Sequence, residues 1–369
     1  MRKGWEYKKL GEVCALTMGQ SPDGNSINEV NGIEFHQGKT CFGERFLGIS
    51  PLYSNAPTKL AEAHSVLLCV RAPVGYPNIT DRKICIGRGL CALYAKREID
   101  NSFLYYSLLG KQSYFEKNAT GSTFKAISSK IVSNTTLSIP PLSTQLAIVS
   151  ELDKINELIR LKKEQLKDFD NLAQSLFYEM FGEGKCLRKK LKDIVKIQSG
   201  QVSPLEEPYS EMIHVGPANI ESNTGRLLNL KTAKEENLIS GKYLFNSSMV
   251  LYSKIRPNLN KVAIPSFEGI CSADMYPIIP LECIDKNFLL FLLKQKEFLT
   301  YAISNSGRAN IPKINREALL NYEAILPPLS LQRLFAQRIE QIEREKSEVQ
   351  KSIQDLETLL ASRMQYWFE

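Results

Sequence analysis

The second half of this 369-residue chain repeats the first, and that duplication constrains its fold more than any other feature. Lys8-Lys9-Leu10-Gly11-Glu12-Val13 returns as Lys189-Lys190-Leu191-Lys192-Asp193-Ile194, and Gly19-Gln20-x-x-Pro as Gly200-Gln201-x-x-Pro, both 181 residues on. Val66-Leu67 matches Val250-Leu251 at an offset of 184, while Cys85 aligns with Cys271 and Gly121 with Gly307 at 186. Ile139-Pro140-Pro141-Leu142-Ser143-x-Gln145 returns as Leu326-Pro327-Pro328-Leu329-Ser330-x-Gln332 at 187. A shared order with an offset that only grows means one ancestral unit, copied, with small loop insertions. Each copy is long enough to bury a core of its own.

A long helix is expected after each Pro-Pro-Leu-Ser, with the serine as its N-cap. In the first, Leu152, Ile155, Ile159, Lys162, Leu166, Phe169, Ala173, Leu176 and Met180 follow alternating steps of three and four. In the second, Phe335, Ile339, Ile342, Lys346, Val349, Ile353, Leu356, Leu360, Arg363 and Trp367 obey the same rule. These are a/d seams without an internal Gly or Pro, so each helix needs a partner helix. The alternative is that each stripe packs on its own globular domain. A helix of about 57 Å, at ~1.5 Å per residue, outruns a small domain, which favours antiparallel pairing of the two copies. Off the seam stand Leu158, Leu161, Phe177, Leu334, Leu359 and Phe368. These are expected to be covered by partner subunits.

Charge separates along the same boundaries. Residues 1–140 hold 17 basic and 11 acidic side chains, and 182–327 hold 19 and 15, whereas 141–181 and 328–369 together hold 11 and 14. Two separate basic pieces are what a phosphate-backbone partner requires. The densest apolar run, Phe288 to Leu293, falls far short of the ~20 residues that cross a bilayer, and the N-terminus lacks the apolar stretch of a secretory signal. The chain is therefore expected to be cytoplasmic, with no membrane partner. Its eight cysteines form no Cys-x-x-Cys pair and have three histidines beside them, so buried free thiols are expected rather than a metal site.

The Trp5 to Val13 opening, Gly19-Gln20-Ser21-Pro22, Phe35-His36-Gln37-Gly38-Lys39-x-x-Phe42-Gly43, Val70-Arg71-Ala72-Pro73-Val74-Gly75, Ile86-Gly87-Arg88-Gly89-Leu90 and the twice-used Pro-Pro-Leu-Ser-x-Gln carry a resemblance across nearly the whole chain. As a set they resemble specificity (S) subunits of prokaryotic Type I restriction-modification systems. The resemblance implies an α+β (mixed α/β) protein. Two pseudo-two-fold-related target recognition domains (1–140 and 182–327) would be separated by two long antiparallel helices (141–181 and 328–369) forming a coiled coil. It implies double-stranded DNA as ligand, two methyltransferase (M) subunits and restriction (R) subunits as partners, and no catalysis in the chain itself. S-adenosylmethionine, ATP and Mg would sit on those partners. Since the two globular copies have diverged between their shared landmarks, the target is expected to be bipartite and asymmetric. The helices would act as a ruler matched to half-sites about one duplex turn (~34 Å) apart.

Direct readout uses Arg for guanine and Asn or Gln for adenine, with Lys and Ser on phosphates. Gly- and Pro-bounded stretches offer Gln20, Ser21, Gln37, Lys39, Arg45, Arg71 and Arg88 in the first copy. In the second they offer Gln201, Asn219, Arg226, Lys254, Arg256, Asn258, Lys261 and Arg308. Phe42, Phe46 and Tyr76 could pack on sugars or bases. Gly32 to Thr40 resembles a phosphate-binding loop but has five residues between its glycines where that motif needs four, and Phe181-Gly182-Glu183-Gly184 reads as a helix end and linker. The rival readings are a coiled-coil scaffold that gathers proteins without touching DNA, and a stand-alone DNA methyltransferase or nuclease.

Overall fold

The computed structural model describes residues 4–121, 125–182, 186–307 and 310–368. The chain divides into two compact units, Met1–Gln165 with Val349–Glu369, and Leu166–Glu348. These units differ from the four segments expected above, because each long helix is shared between them.

In the first unit an antiparallel sheet runs in the order β2 (Cys14–Met18), β10 (Leu90–Ala95), β7 (Val66–Cys69), β8 (Pro77–Ile79). A second sheet runs β3 (Ile27–Asn28), β5 (Tyr53–Ser54), β4 (Ile33–His36), β9 (Ile84–Ile86), β6 (Leu60–Ala61), with β4 and β9 parallel. A ribbon of β1 (Glu6–Lys9) and β11 (Thr136–Ile139) closes the unit, bringing its two ends together before the long helix begins. Between β1 and β2 lies α1 (Leu10–Val13), and α2 (Asn101–Gly110), α3 (Gln112–Asn118) and α4 (Ser129–Asn134) follow β10.

The second unit reproduces this plan. Its antiparallel sheet is β13 (Val195–Ile197), β21 (Met275–Pro280), β18 (Val250–Ser253), β19 (Val262–Ala263), and its closing ribbon is β12 (Leu187–Lys190) with β22 (Glu323–Leu326). The other sheet departs: β14 (Gln201–Val202), β17 (Lys242–Phe245), β20 (Gly269–Cys271), β15 (Ile213–Val215), β16 (Lys231–Thr232). Its parallel centre, β15 with β20, matches β4 with β9. The opening strand has changed edges, since β3 pairs with the strand after β4 whereas β14 pairs with β17, the counterpart of β6. Divergence is thus concentrated at one sheet's edges and loops.

Residues 101–118 and 286–304 each hold two helices rather than one. Lys111 separates α2 from α3, and an extended Gln295 separates α6 (Lys286–Lys294) from α7 (Lys296–Ser304). A shorter helix, α8 (Arg316–Asn321), precedes β22.

The two long helices, α5 (Leu142–Phe181) and α9 (Leu329–Phe368), are 40 residues each. Both begin one residue before the expected N-cap serine. Pro141 and Pro328 take the cap position, their carbonyls accepting from Gln145 and Gln332 N–H at 3.0 and 3.1 Å, so Ser143 and Ser330 lie in the first turn. Proline there lacks only an N–H that would have had no helical partner. The heptad reading holds along both helices: every seam residue is buried or half-buried, including Leu152 at 0% and Ile353 at 2% exposure. Within the first unit Glu151 bonds Arg363 and Lys163 pairs with Glu357 at 3.2 Å. Within the second, Asp170 pairs with Lys346 at 2.8 Å and the Phe177 ring lies 5.8 Å from that of Phe335. In both units the partner number falls as the α5 number rises, so the helices are antiparallel there.

Five of the eight cysteines are buried, and burial pushes the Cys14, Cys69, Cys91 and Cys271 thiols up to about 12. Cys41 and Cys186 are half-buried and Cys283 is exposed, which corrects the expectation that all are interior. No helix among the described residues is long and apolar enough to cross a membrane.

Candidate nucleic-acid interface

Four strand ends converge in the first unit. Gly19 follows β2, Gln37 follows β4, Gly87-Arg88-Gly89 joins β9 to β10, and Val70-Arg71 follows β7. Their backbones are tied by Gly19 N–H to Leu90 O (2.9 Å), Gln20 N–H to Ile86 O (3.0 Å), Gly89 N–H to Gln37 O (3.1 Å) and Val70 N–H to Gly89 O (2.8 Å). The glycines are required by this crowding. A Cβ on Gly19 would lie 2.1 Å from Gly87 O, and one on Gly89 would lie 2.3 Å from Gln37 O. Exposed polar side chains project from the junction, among them Gln20, Gln37, Arg71 and Arg88.

A distal segment braces the β7–β8 loop. Ala72 donates to Lys125 O at 3.0 Å and Ile127 to Val70 O at 2.9 Å. The second unit repeats the brace, with Arg256 donating to Pro312 O at 2.7 Å and Ile314 to Lys254 O at 2.9 Å. Exposed lysines beside these braces, Lys125 and Lys313, and Lys59, whose carbonyl accepts from Ile86 N–H, were missed from sequence. They lie far along the chain from the motifs they flank, so no local pattern marks them.

The structure sorts the remaining expected contacts. Lys39 is exposed with its ammonium 3.6 Å from the Tyr76 ring centroid, Phe46 is exposed, and Phe42 and Tyr76 are half-buried. Ser21 is half-buried. In the second unit Gln201, Arg226, Arg256 and Asn258 are exposed, with Gln201 on β14 rather than in a loop. Lys254 and Lys261 are half-buried, their ammonium groups donating to Ala273 O (2.5 Å) and Pro217 O (2.7 Å). Arg308 lies outside the described residues.

Two candidates are corrected. Asn219 is buried at 8% exposure, with Oδ1 accepting from Gly216 N–H and Nδ2 donating to Leu228 O and Asn229 O. Its amide hydrogens and its oxygen are both engaged in holding a turn, a fold role that asparagine fills as readily as base reading. Arg45 pairs with Asp153 of α5 at 2.5 Å and lies against the Tyr105 and Tyr106 rings, so it fixes the domain to its helix.

Two off-seam residues are corrected as well. Phe177 belongs to the aromatic core of the second unit, and Phe368 to that of the first, each 9% exposed. Phe368 lies so close that a Cβ on Gly110 would meet its Cβ at 2.7 Å. Leu158, Leu161, Leu334 and Leu359 are exposed, and so is Leu172, which shares the register of Leu359 in the other repeat.

Behind the junction, Glu34 accepts from both Arg82 Nε (2.6 Å) and Arg82 Nη2 (2.7 Å), from Ser50 N–H (2.7 Å) and from His36 Nε2 (2.8 Å). Burial pushes the Glu34 carboxyl up, but Arg82, Ser50 and His36 together outweigh it and bring it down to about 2. Burial also pushes His36 below its usual value, against the pull of Glu34. Gly32 to Thr40, the near-match to a phosphate loop, contains β4 and a short 3-10 turn rather than a loop leading into a long helix. Gly182 ends α5, its N–H bonding Tyr178 O at 2.8 Å, and Glu183 and Gly184 lie outside the described residues.

The model of the Type I restriction modification DNA specificity domain matches residues 2–168 and again 187–358. The chain belongs to this family. Each match covers one globular domain with most of the long helix after it, the repeat read from the sequence. Among named relatives, a specificity subunit assigned to the MjaX Type I restriction enzyme of Methanocaldococcus jannaschii is 36% identical over 176 residues, 47% of this chain and 41% of its own length. The EcoDI specificity subunit of Escherichia coli is 29% identical over 69% of this chain and 65% of its own. The match thus spans under two thirds of either relative. The MjaVIII specificity subunit of M. jannaschii is 23% identical over 96% of this chain and 92% of its own. The fold matches the crystal structure of the Type I S subunit from M. genitalium over 99% of this chain and 96% of that one, at TM-score 0.60 and 15% identity. It also matches a chain from a structure of Type I restriction-modification complex assembly over 100% and 98%, at TM-score 0.67 and 18% identity. The chain therefore carries this DNA specificity domain twice.

Proposed function

We propose that this specificity subunit reads a bipartite, asymmetric DNA sequence and directs adenine methylation and cleavage carried out by partner subunits, performing no chemistry itself. The observation that carries the reading is the braced junction present in both units, glycine-laced in the first, beside which exposed Arg, Gln and Lys side chains stand in each unit. The asymmetry follows from the divergence of the two copies there, down to the edge exchanged by β3 and β14. The M subunits would hold S-adenosylmethionine, and R subunits would supply ATP- and Mg-dependent translocation and cutting, in the cytoplasm of a prokaryote. The exposed apolar positions Leu158, Leu161, Leu172, Leu334 and Leu359 are the surface an M subunit would cover.

The decisive experiment is sequencing of methylated DNA from a host that expresses the chain with its M partner. It should return one split motif with two unlike halves. Affinity of the complex for that DNA should fall steeply with salt as counterions are displaced. A flat salt response would favour the protein-gathering scaffold, and methyl transfer by the isolated chain would favour a stand-alone enzyme. Insertion of one heptad into both helices should lengthen the unread spacer and leave both halves unchanged.

A further inference from the structure

We infer that Arg88 in the first unit and Arg256 in the second are the guanine-reading side chains, presented from different loops of the same scaffold. This rests on the DNA-reading function proposed above. Backbone hydrogen bonds set the register between the copies. Gly87 donates to His36 O at 2.8 Å as Ser272 does to Val215 O at 3.0 Å, and Leu90 donates to Gly87 O at 3.0 Å as Met275 does to Ser272 O at 2.9 Å. Val70 donates to Gly89 O at 2.8 Å as Lys254 does to Asp274 O at 3.0 Å. Arg88 therefore occupies the place of Ala273, and Cys85 that of Ile270, one position away from the Cys271 with which the sequence aligned it.

The braces fix the other pair. Ala72 donates to Lys125 O as Arg256 donates to Pro312 O, so Arg256 occupies the place of Ala72. Each unit thus carries arginine where the other carries alanine, at two loops flanking one junction. Both arginines are exposed, and neither makes an ion pair or hydrogen bond through its side chain among the described residues. In the same unit Arg45 and Arg82 are tied by carboxylates.

Both loops are also held rigid. Arg88 stands between Gly87 and Gly89, whose places leave no room for a Cβ without displacing Gln37. Arg256 has a left-handed backbone, φ 47, at the start of a 3-10 turn closed by Leu259 N–H to Arg256 O at 2.9 Å. A bulky residue in that conformation carries strain, of the kind that is stored where a side chain must be aimed. An arginine held in this way can bond guanine O6 and N7 at once, in the major groove.

The test uses the chain complexed with its M subunit, with R88A, R88K, R256A and R256K compared on a panel of single-base variants of the motif. Each alanine variant should relax one G·C position in one half-site, discrimination falling roughly ten- to a hundredfold, with the other half-site read as before. The lysine variants keep the charge and lose the planar fork, so they should lose the same discrimination while retaining affinity for unrelated DNA. Uniform weakening across all sequences with the salt slope reduced by about one would make these residues phosphate contacts and overturn the inference. So would full discrimination by the lysine variants. If the unaltered complex showed no salt-dependent DNA binding, the DNA-reading function itself would fail instead.

Discussion

The side-chain carbonyl of Gln145 accepts the backbone N–H of Asp100 at 2.9 Å, and in the second unit Gln332 does the same for Asp285 at 2.9 Å. Each glutamine also donates twice from Nε2, Gln145 to Glu98 O and Pro140 O, Gln332 to Cys283 O and Pro327 O. Both are fully buried. Since Asp100 and Asp285 cap α2 and α6, this one amide locks the start of a long helix to the domain before it.

Replacement of Gln145 by alanine strands a buried N–H and two carbonyls. A loss of about 2–4 kcal/mol is expected, because an unmet buried group costs more than a hydrogen bond contributes. The chain's two tryptophans, Trp5 and Trp367, are both in the first unit with ring centroids 6.3 Å apart. Fluorescence-monitored denaturation should therefore register Q145A strongly. The corresponding loss in Q332A should appear in amide exchange of α6 and α9.

Acid should weaken the first unit in two stages. His36 has a folded value below its ordinary 6.5, so below that pH the unfolded chain binds more protons and stability falls. Glu34, at about 2 when folded against 4.5, contributes stability that is present above pH 4.5 and lost as pH falls toward 2. The full effect is on the order of 3 kcal/mol. Tryptophan-monitored denaturation at stepped pH should show both stages, and E34Q should remove the second.

Arg45 supplies a contrast with the exposed arginines. R45A should destabilise the first unit, since it leaves Asp153 with the Tyr106 hydroxyl at 2.6 Å but no cation. It should leave the salt slope of DNA binding unchanged. A drop of about one in that slope would return Arg45 to the DNA surface.

Off-seam apolar residues should separate by burial. F177A and F368A should each cost about 3–5 kcal/mol of stability as core truncations. L172E and L359E should leave thermal denaturation nearly unchanged and reduce co-purification with the M subunit. Intact complex formation by both Leu variants would remove this surface from the interface.

R256G should relieve the left-handed strain, leaving stability unchanged or raised by under about 1 kcal/mol, while specific DNA binding falls. Thermal denaturation beside a binding assay checks the two effects separately.

The repeat, the heptad seams and the antiparallel pairing of the helices were legible in the sequence, because each rests on spacing along the chain, and spacing fixes which face of a helix is apolar. Even the glutamine after Pro-Pro-Leu-Ser was visible as a repeated residue, although its buried network was not. Only the tertiary structure decided that Asn219 and Arg45 are spent on the fold, that Phe177 and Phe368 are core, and that Arg88 corresponds to Ala273. Whether a loop side chain is free depends on partners such as Asp153, 108 residues from Arg45, brought close by packing. Register between diverged copies depends on hydrogen bonds across strands. Neither leaves a periodic mark on the sequence.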